Sequence, residues 1–228
     1  MARSRRTILG LGLSTALLAT GCSAEVGLSN PSPSSSSRSG PESTSAGGGD
    51  PRKAERDLAR LRTAAEGSGG GYERDRFGTR WKDIDRNGCD QRNDVLARDL
   101  ESVRKRGGCV VLNGTLHDPY SGKDITFSKA DAAEVQIDHV YPLALAWRMG
   151  AAGWDEERRE RFANDHANLL AVWGVPNQQK SDKGPGEWKP QKAYQCTYAT
   201  RYIAVATKYS LPVTGADRTA LKGFLERC

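Results

Sequence analysis

The sequence predicts an α+β domain, mainly helical around a small central pair of strands, preceded by a long segment with no core of its own. Three observations carry this. Stretches in the middle of the chain and near its end repeat apolar residues at helical spacing. Two short apolar runs, residues 109–112 and 135–137, are bounded by polar and turn-forming residues. Residues 30–50 are Ser, Pro and Gly with almost no apolar groups, a composition that cannot bury enough surface to offset chain entropy.

Residues 1–22 read as an export signal. Arg3, Arg5 and Arg6 give a positive start, and the apolar stretch over residues 8–18 falls short of the roughly 20 residues that span a bilayer. Residues 4–9, Ser-Arg-Arg-Thr-Ile-Leu, resemble the twin-arginine signal. Ala19-Thr20-Gly21-Cys22 resembles the bacterial lipobox, with Ala19 where Leu is usual, so Cys22 is a candidate lipid anchor and the only expected route to the membrane. The expected location is outside the cytoplasm, secreted or anchored to the outer face of the cell membrane. Residues 23–71 are expected to be a flexible tether, with a short helix over 52–66 cut off by the glycines of 67–71. The folded domain is expected over 72–228.

Within that domain the spacing of Val95, Leu96, Leu100 and Val103 predicts a helix over 93–105. Residues 109–112 read as a strand, 118–123 as a turn and 135–137 as a strand entering Asp138-His139. Residues 143–149 and 155–164 read as helices, and 168–172 as a short strand or turn. A long helix is expected over 193–209, with Tyr194, Tyr198, Tyr202 and Val205 on one side. A last helix over 214–226 has Thr214 and Asp217 at its start.

The chain has 228 residues and a formal net charge of +6. A basic balance favours polyanionic partners, nucleic acid or an anionic membrane, without deciding between them. Of five cysteines, setting Cys22 aside leaves Cys89, Cys109, Cys196 and Cys228. An even number in an exported chain points to two disulfides, and four cysteines allow three pairings. The sequence-local pairing, Cys89–Cys109 with Cys196–Cys228, is the expectation. No Cys-x-x-Cys occurs, which disfavours a zinc finger.

The chemistry concentrates at Val135-Gln136-Ile137-Asp138-His139-Val140-Tyr141-Pro142. Neighbouring strand residues point to opposite sides, so Asp138 can face a metal while His139 faces water or substrate. Phosphodiester hydrolysis uses both functions, a cation to polarise the phosphate and a base for the attacking water. An Asp-His pair alone is frequent by chance. The series continues with Asn164-Asp165-His166-Ala167-Asn168-Leu169-Leu170 and Asn177-Gln178-Gln179-Lys180. Together these residues resemble the His-Asn-His (HNH) endonuclease superfamily with its ββα-metal (His-Me finger) core. They are most similar to its secreted-protein, GmrSD C-terminal-like branch, as are Trp81-Lys82-Asp83, Cys89-Asp90 and Asp118-Pro119-Tyr120. Residues 147–161 read as a helical insertion in the loop between Asp138-His139 and Asn168.

The resemblance implies an endonuclease acting on DNA, with RNA left open, as a monomer. It implies His139 as general base, Asn168 as the brace that positions it, and Asp138 and Asn177 as ligands of one divalent cation. Asn177 stands where the superfamily's name places a final His. An amide oxygen suits a hard ion, so Mg²⁺ is expected, with Mn²⁺ and Ca²⁺ left open. Lys180 and Lys183 are candidates for a substrate phosphate, and Trp188 and Tyr194 are assigned to packing rather than base stacking. Asp83, Asp85, Asn87 and Asp94 approximate a calcium loop, with Asp94 in the place of the usual Glu. Arg92 is a further residue that the resemblance could bring toward the site, and His117 and His166 rank well below His139. The alternative is a non-catalytic surface-binding lipoprotein on a degenerate scaffold of the same kind. A hydrolase for another phosphate ester or a cell-wall polymer is a further rival.

Overall fold

The computed structural model describes residues 49–228. The export signal, Cys22 and most of the expected tether lie outside the described residues. The folded domain starts before Tyr72. Helix α1 (Pro51–Arg60) is capped by Asp50, with Pro at its first turn. It buries Ala54 and Leu58 in the main core, so residues 51–71 belong to the folded domain rather than to a tether. The short helix foreseen over 52–66 ends at Arg60, ten residues long, and the rest of the segment carries no regular helix. Thr63 bridges Val213, and Arg218 donates to the carbonyls of Leu58 and Leu61. No helix of the described residues is long and apolar enough to cross a membrane.

Helix α2 (Gln91–Asp99) is capped by the Asp90 side chain on the Asn93 N–H. It ends six residues earlier than its apolar spacing suggested. The chain turns at Leu100 into strand β1 (Glu101–Arg106), which pairs antiparallel with β2 (Val110–His117). Gly107 and Gly108, both at positive φ (61° and 78°), close that hairpin, a conformation that glycine reaches without strain. The helical spacing of Val103 was coincidental, and the Gly-Gly dipeptide was the stronger signal. Strand β3 (Asp124–Ser128) completes a three-stranded sheet in the order β1-β2-β3. Cys89–Cys109 joins the loop before α2 to this hairpin, and Cys196–Cys228 joins the last helices, with Cα separations of 5.3 and 5.2 Å.

Strand β4 (Val135–His139) pairs antiparallel with β5 (Leu169–Trp173), His139 opposite Leu169 and Asp138 opposite Leu170. Between them lie α3 (Leu143–Arg148) and α4 (Glu156–Asn164, capped by Asp155). Next come α5 (Gly174–Lys180), α6 (Gln195–Tyr209) and α7 (Gly215–Leu225), which opens with a Thr214/Asp217 capping box. The β4-β5 ribbon separates two cores. Val135, Ile137, Leu169 and Ala171 join α2 and the three-stranded sheet. Leu170 and Val172 join the larger core of α1, α3, α4, α6 and α7. A two-stranded ribbon is marginal alone; apolar packing on both faces is what stabilises this one.

Candidate active site

The alternation along β4 sends Asp138 and His139 to opposite sides of the ribbon. Asp138 faces the helices. Tyr120 Oη donates to its Oδ2 at 2.5 Å, and Lys180 Nζ approaches both oxygens at 2.9 and 3.1 Å. The same ammonium donates to the His139 carbonyl at 3.0 Å. Lys180 is fully buried, so its cation is neutralised by Asp138 rather than by water. Burial and the adjacent Asp138 charge push the Tyr120 hydroxyl well above its usual pKa, so it stays a donor.

His139 sits across the ribbon, half-buried. Its Nε2 lies 2.8 Å from the carbonyl oxygen of Ala163 at the end of α4. A carbonyl only accepts, so Nε2 carries the proton and Nδ1 is left with a lone pair. The Trp81 indole lies nearly parallel to the imidazole, with ring centres 6.4 Å apart. Trp81 adopts φ +57°, an uncommon conformation for a large side chain. Burial, then the charges of Arg74, Lys180 and Arg80, lower the His139 pKa to about 3, against the opposing hydrogen bond to Ala163. The free protein therefore holds this imidazole neutral at physiological pH.

Asn168 ties the ribbon's end together. Its Oδ1 accepts from the Tyr141 N–H at 2.8 Å and its Nδ2 donates to the Tyr141 carbonyl at 3.2 Å. Its own carbonyl accepts from Val140 at 2.8 Å. Asn168 is fully buried, so these bonds face no competition from water. The loop before it is held from outside. Asp165 accepts from Tyr209 Oη and Lys208 Nζ at 2.7 and 2.6 Å, and the Arg98 and Arg201 guanidinium groups converge on the carbonyls of His166 and Leu169.

The two residues expected to hold a cation are engaged elsewhere. Asn177, on α5, donates through Nδ2 to Gln136 Oε1 at 2.8 Å, two residues before Asp138 on β4. An ion at Asp138 would sit about 2.0–2.1 Å from its oxygen, where the buried Lys180 ammonium already stands. As arranged, Asp138 and Asn177 do not fit a divalent ion. Lys180 is likewise not a solvent-facing phosphate contact, being enclosed with Asp138. Lys183 is exposed and donates to the Gln179 carbonyl at 3.0 Å.

The calcium-like loop assembles separately. Asp83 accepts from the N–H groups of Asn87 and Gly88, and Asn87 Nδ2 bridges Asp85 and Asp94 at 3.2 and 3.0 Å. His166 joins Asp85 and Asp94, with one ligating atom of each inside 4.8 Å of the others. Asp83 and Asn87 thus build the turn, and His166 takes a place that the linear loop pattern could not supply. Arg92 donates to the carbonyls of Ala132 and Val135 and braces the start of β4, away from the His139 cleft. His117 pairs with Asp124 on the exposed edge of the three-stranded sheet, and Trp188 packs on Tyr120.

Asp138 and His139 open on a cleft of about 560 Å³, lined also by Tyr72, Arg74, Pro142, Arg148 and Asp182. Arg148 there is paired with Glu66 and Asp182. Sequence reasoning missed Arg74, Tyr120 and Ala163. Tyr120 stood in the Asp-Pro-Tyr segment that carries part of the resemblance, a usable signal. Ala163 contributes a backbone carbonyl and could not be found from residue type.

Among known proteins, the sequence model of the family described as GmrSD restriction endonucleases, C-terminal domain, matches residues 90–223. A protein of the fungus Arthroderma benhamiae described as an uncharacterized secreted protein is 41% identical over 174 residues, covering 75% of this chain and 82% of that one. No solved structure matches.

The enclosed pair makes a direct prediction. Lys180→Met leaves Asp138 buried without its cation and should lower unfolding free energy by about 3–5 kcal/mol, read by urea denaturation. A loss below about 1 kcal/mol would show that the pair is open to water.

Proposed function

This chain belongs to the family of GmrSD restriction endonuclease C-terminal domains, and on that premise we propose that it is an exported endonuclease hydrolysing phosphodiester bonds in DNA. The observation that carries the reading is the His139 imidazole, fixed through Nε2 to Ala163 with Nδ1 left as a base. In this scheme Nδ1 removes a proton from water, the water oxygen attacks phosphorus, and the bond to the leaving sugar oxygen breaks, that oxygen taking a proton from solvent to leave as the alcohol. Asn168 keeps the backbone that carries His139 in place. The exposed Lys183 contacts a flanking phosphate. No step is routed through a cation at Asp138, because Lys180 occupies that position. Export is supported by two disulfides, which persist in oxidising compartments, by the secreted relative and by the N-terminal signal pattern. Anchoring through a lipidated Cys22 belongs to the same proposal.

Plasmid nicking tests it, with Mg²⁺, Mn²⁺, Ca²⁺ or chelator present and an RNA substrate in parallel. His139→Ala should lower cleavage by about 10²–10⁴-fold, the range for loss of a positioned base, without loss of fold. Equal cleavage by wild type and variant would remove the assignment. No cleavage of either nucleic acid under any ion would favour the non-catalytic binding reading.

The pH profile follows from the depressed His139 pKa. A base works unprotonated, so lowering the pKa extends activity to lower pH. The acid limb of kcat/KM, which reports the free enzyme, should lie at least one unit below the unperturbed value of about 6.5. A bound phosphodiester anion favours the imidazolium, so the acid limb of kcat should lie above that of kcat/KM. An acid limb of kcat/KM at or above 6.5 would contradict the assigned environment of His139.

A further inference from the structure

Among the charged side chains lining the His139 cleft, Arg74 alone makes no ion pair with the described residues. Asp138 is paired with Lys180, and Arg148 with both Glu66 and Asp182. His139 is neutral in the free protein. Arg74 lines the same cleft, and its Nη1 is buried with no hydrogen-bond partner among the described residues. A guanidinium stays charged in a protein and carries five donors. Leaving one of them buried and unpaired costs stability unless a ligand completes it. Arg80 lies close enough for its charge to act on both Arg74 and His139. Among the described residues, Asp75 is the carboxylate whose charge acts on Arg74, and it does so by less than burial and Arg80 oppose it.

The segment carrying both arginines is held in place. Arg74 opens a 3-10 turn (Arg74–Phe77) whose Phe77 is fully buried in the main core. Beyond it, Asn164 at the end of α4 donates to the Thr79 carbonyl and accepts from the Lys82 N–H. Lys82 also pairs with Glu160. Asn164 directly follows Ala163, whose carbonyl orients His139. One helix end therefore fixes the imidazole and the arginine segment relative to each other. Arg76, the third arginine of the stretch, lies over Trp147 and pairs with Glu73.

We propose that Arg74, supported by Arg80, is the anion-binding group of the cleft and seats the phosphate of the bond that His139 attacks. This rests on the proposed phosphodiester hydrolysis and adds to it the source of positive charge on the substrate. A guanidinium offers two parallel N–H donors to a phosphate, and in a partly dry cleft they are placed before the reaction begins. Arg74 and Arg80 both precede the 90–223 segment matched by the family, so this contact is supplied by a part of the chain outside that match.

Inorganic phosphate is the probe, titrated at constant ionic strength and followed in amide NMR spectra of the protein. Phosphate should shift the signals of Tyr72, Arg74 and His139 saturably in wild type. Arg74→Gln should weaken that affinity about tenfold or more, as expected for a lost hydrogen bond between charged groups. Arg74→Lys, which keeps the charge but loses the fork, should fall between. An unchanged affinity in Arg74→Gln, or no saturable shift at these residues in wild type, would overturn the proposal. If Arg74→Gln does not fold, the exposed Arg80→Gln decides, with a weakening of about two- to threefold expected from the lost nearby charge and unchanged affinity counting against it. Binding needs no turnover, so phosphate binding without nucleic-acid cleavage sinks the nuclease reading alone. Cleavage at the wild-type rate by Arg74→Gln sinks the Arg74 assignment alone.

Discussion

Asn168 grips the Tyr141 peptide from both ends, accepting from its N–H and donating to its carbonyl. The rest of the site depends on that clasp. It fixes where β4 leaves the ribbon, and with it the backbone that presents His139 on one side and Asp138 on the other. The clasp is itself positioned by charged groups reaching in from outside: Asp165 with Tyr209 and Lys208, and two arginines on the carbonyls of His166 and Leu169. A flat, two-stranded ribbon would slip or fray alone. Here both faces are packed and the exit peptide is bonded three times, so the imidazole's position is set before any substrate arrives.

The electrostatics follow from that geometry. Asp138 and Lys180 neutralise one another in a place where water cannot, and such pairs are held at a substantial desolvation cost. Their return is the link between α5 and β4, since the same ammonium also takes the His139 carbonyl. The consequence is that Asp138 contributes no free negative charge to the cleft. Burial, with the charges of Arg74, Lys180 and Arg80, lowers the basicity of His139. Under the proposed function, a phosphate entering the cleft would raise that basicity and so couple substrate binding to activation of the base.

Much of this was legible in the sequence, and the parts that were not share a cause. Helices α6 and α7, with regular apolar stripes, and α4, with a largely charged surface, lie within two residues of where the sequence put them, and capping residues Asp155 and Thr214 mark the starts of α4 and α7. Strand β4 was readable from its short apolar run. The helix expected over 93–105 failed where Gly107-Gly108 imposed a hairpin, and β3, exposed on one face, offered too little apolar signal. Asp138, His139, Asn168 and Asn177 were all identified as a set, but their partners were not. Lys180 follows Asn177 by three residues, so both project from one face of α5; which of them meets Asp138 depends on the registry of helix against strand, and no local pattern specifies it. The Ala163 carbonyl and the unpaired Arg74 donor are likewise products of tertiary placement.

His139 is a neutral imidazole protonated on Nε2, with a lone pair on Nδ1. Long-range ¹H–¹⁵N correlation spectra of histidine-labelled protein at pH 7 read this directly, since protonated and lone-pair nitrogens have well-separated ¹⁵N shifts. His139 should give one lone-pair-type signal at Nδ1 and one protonated signal at Nε2. An Nδ1-protonated tautomer, or an imidazolium at that pH, would contradict it.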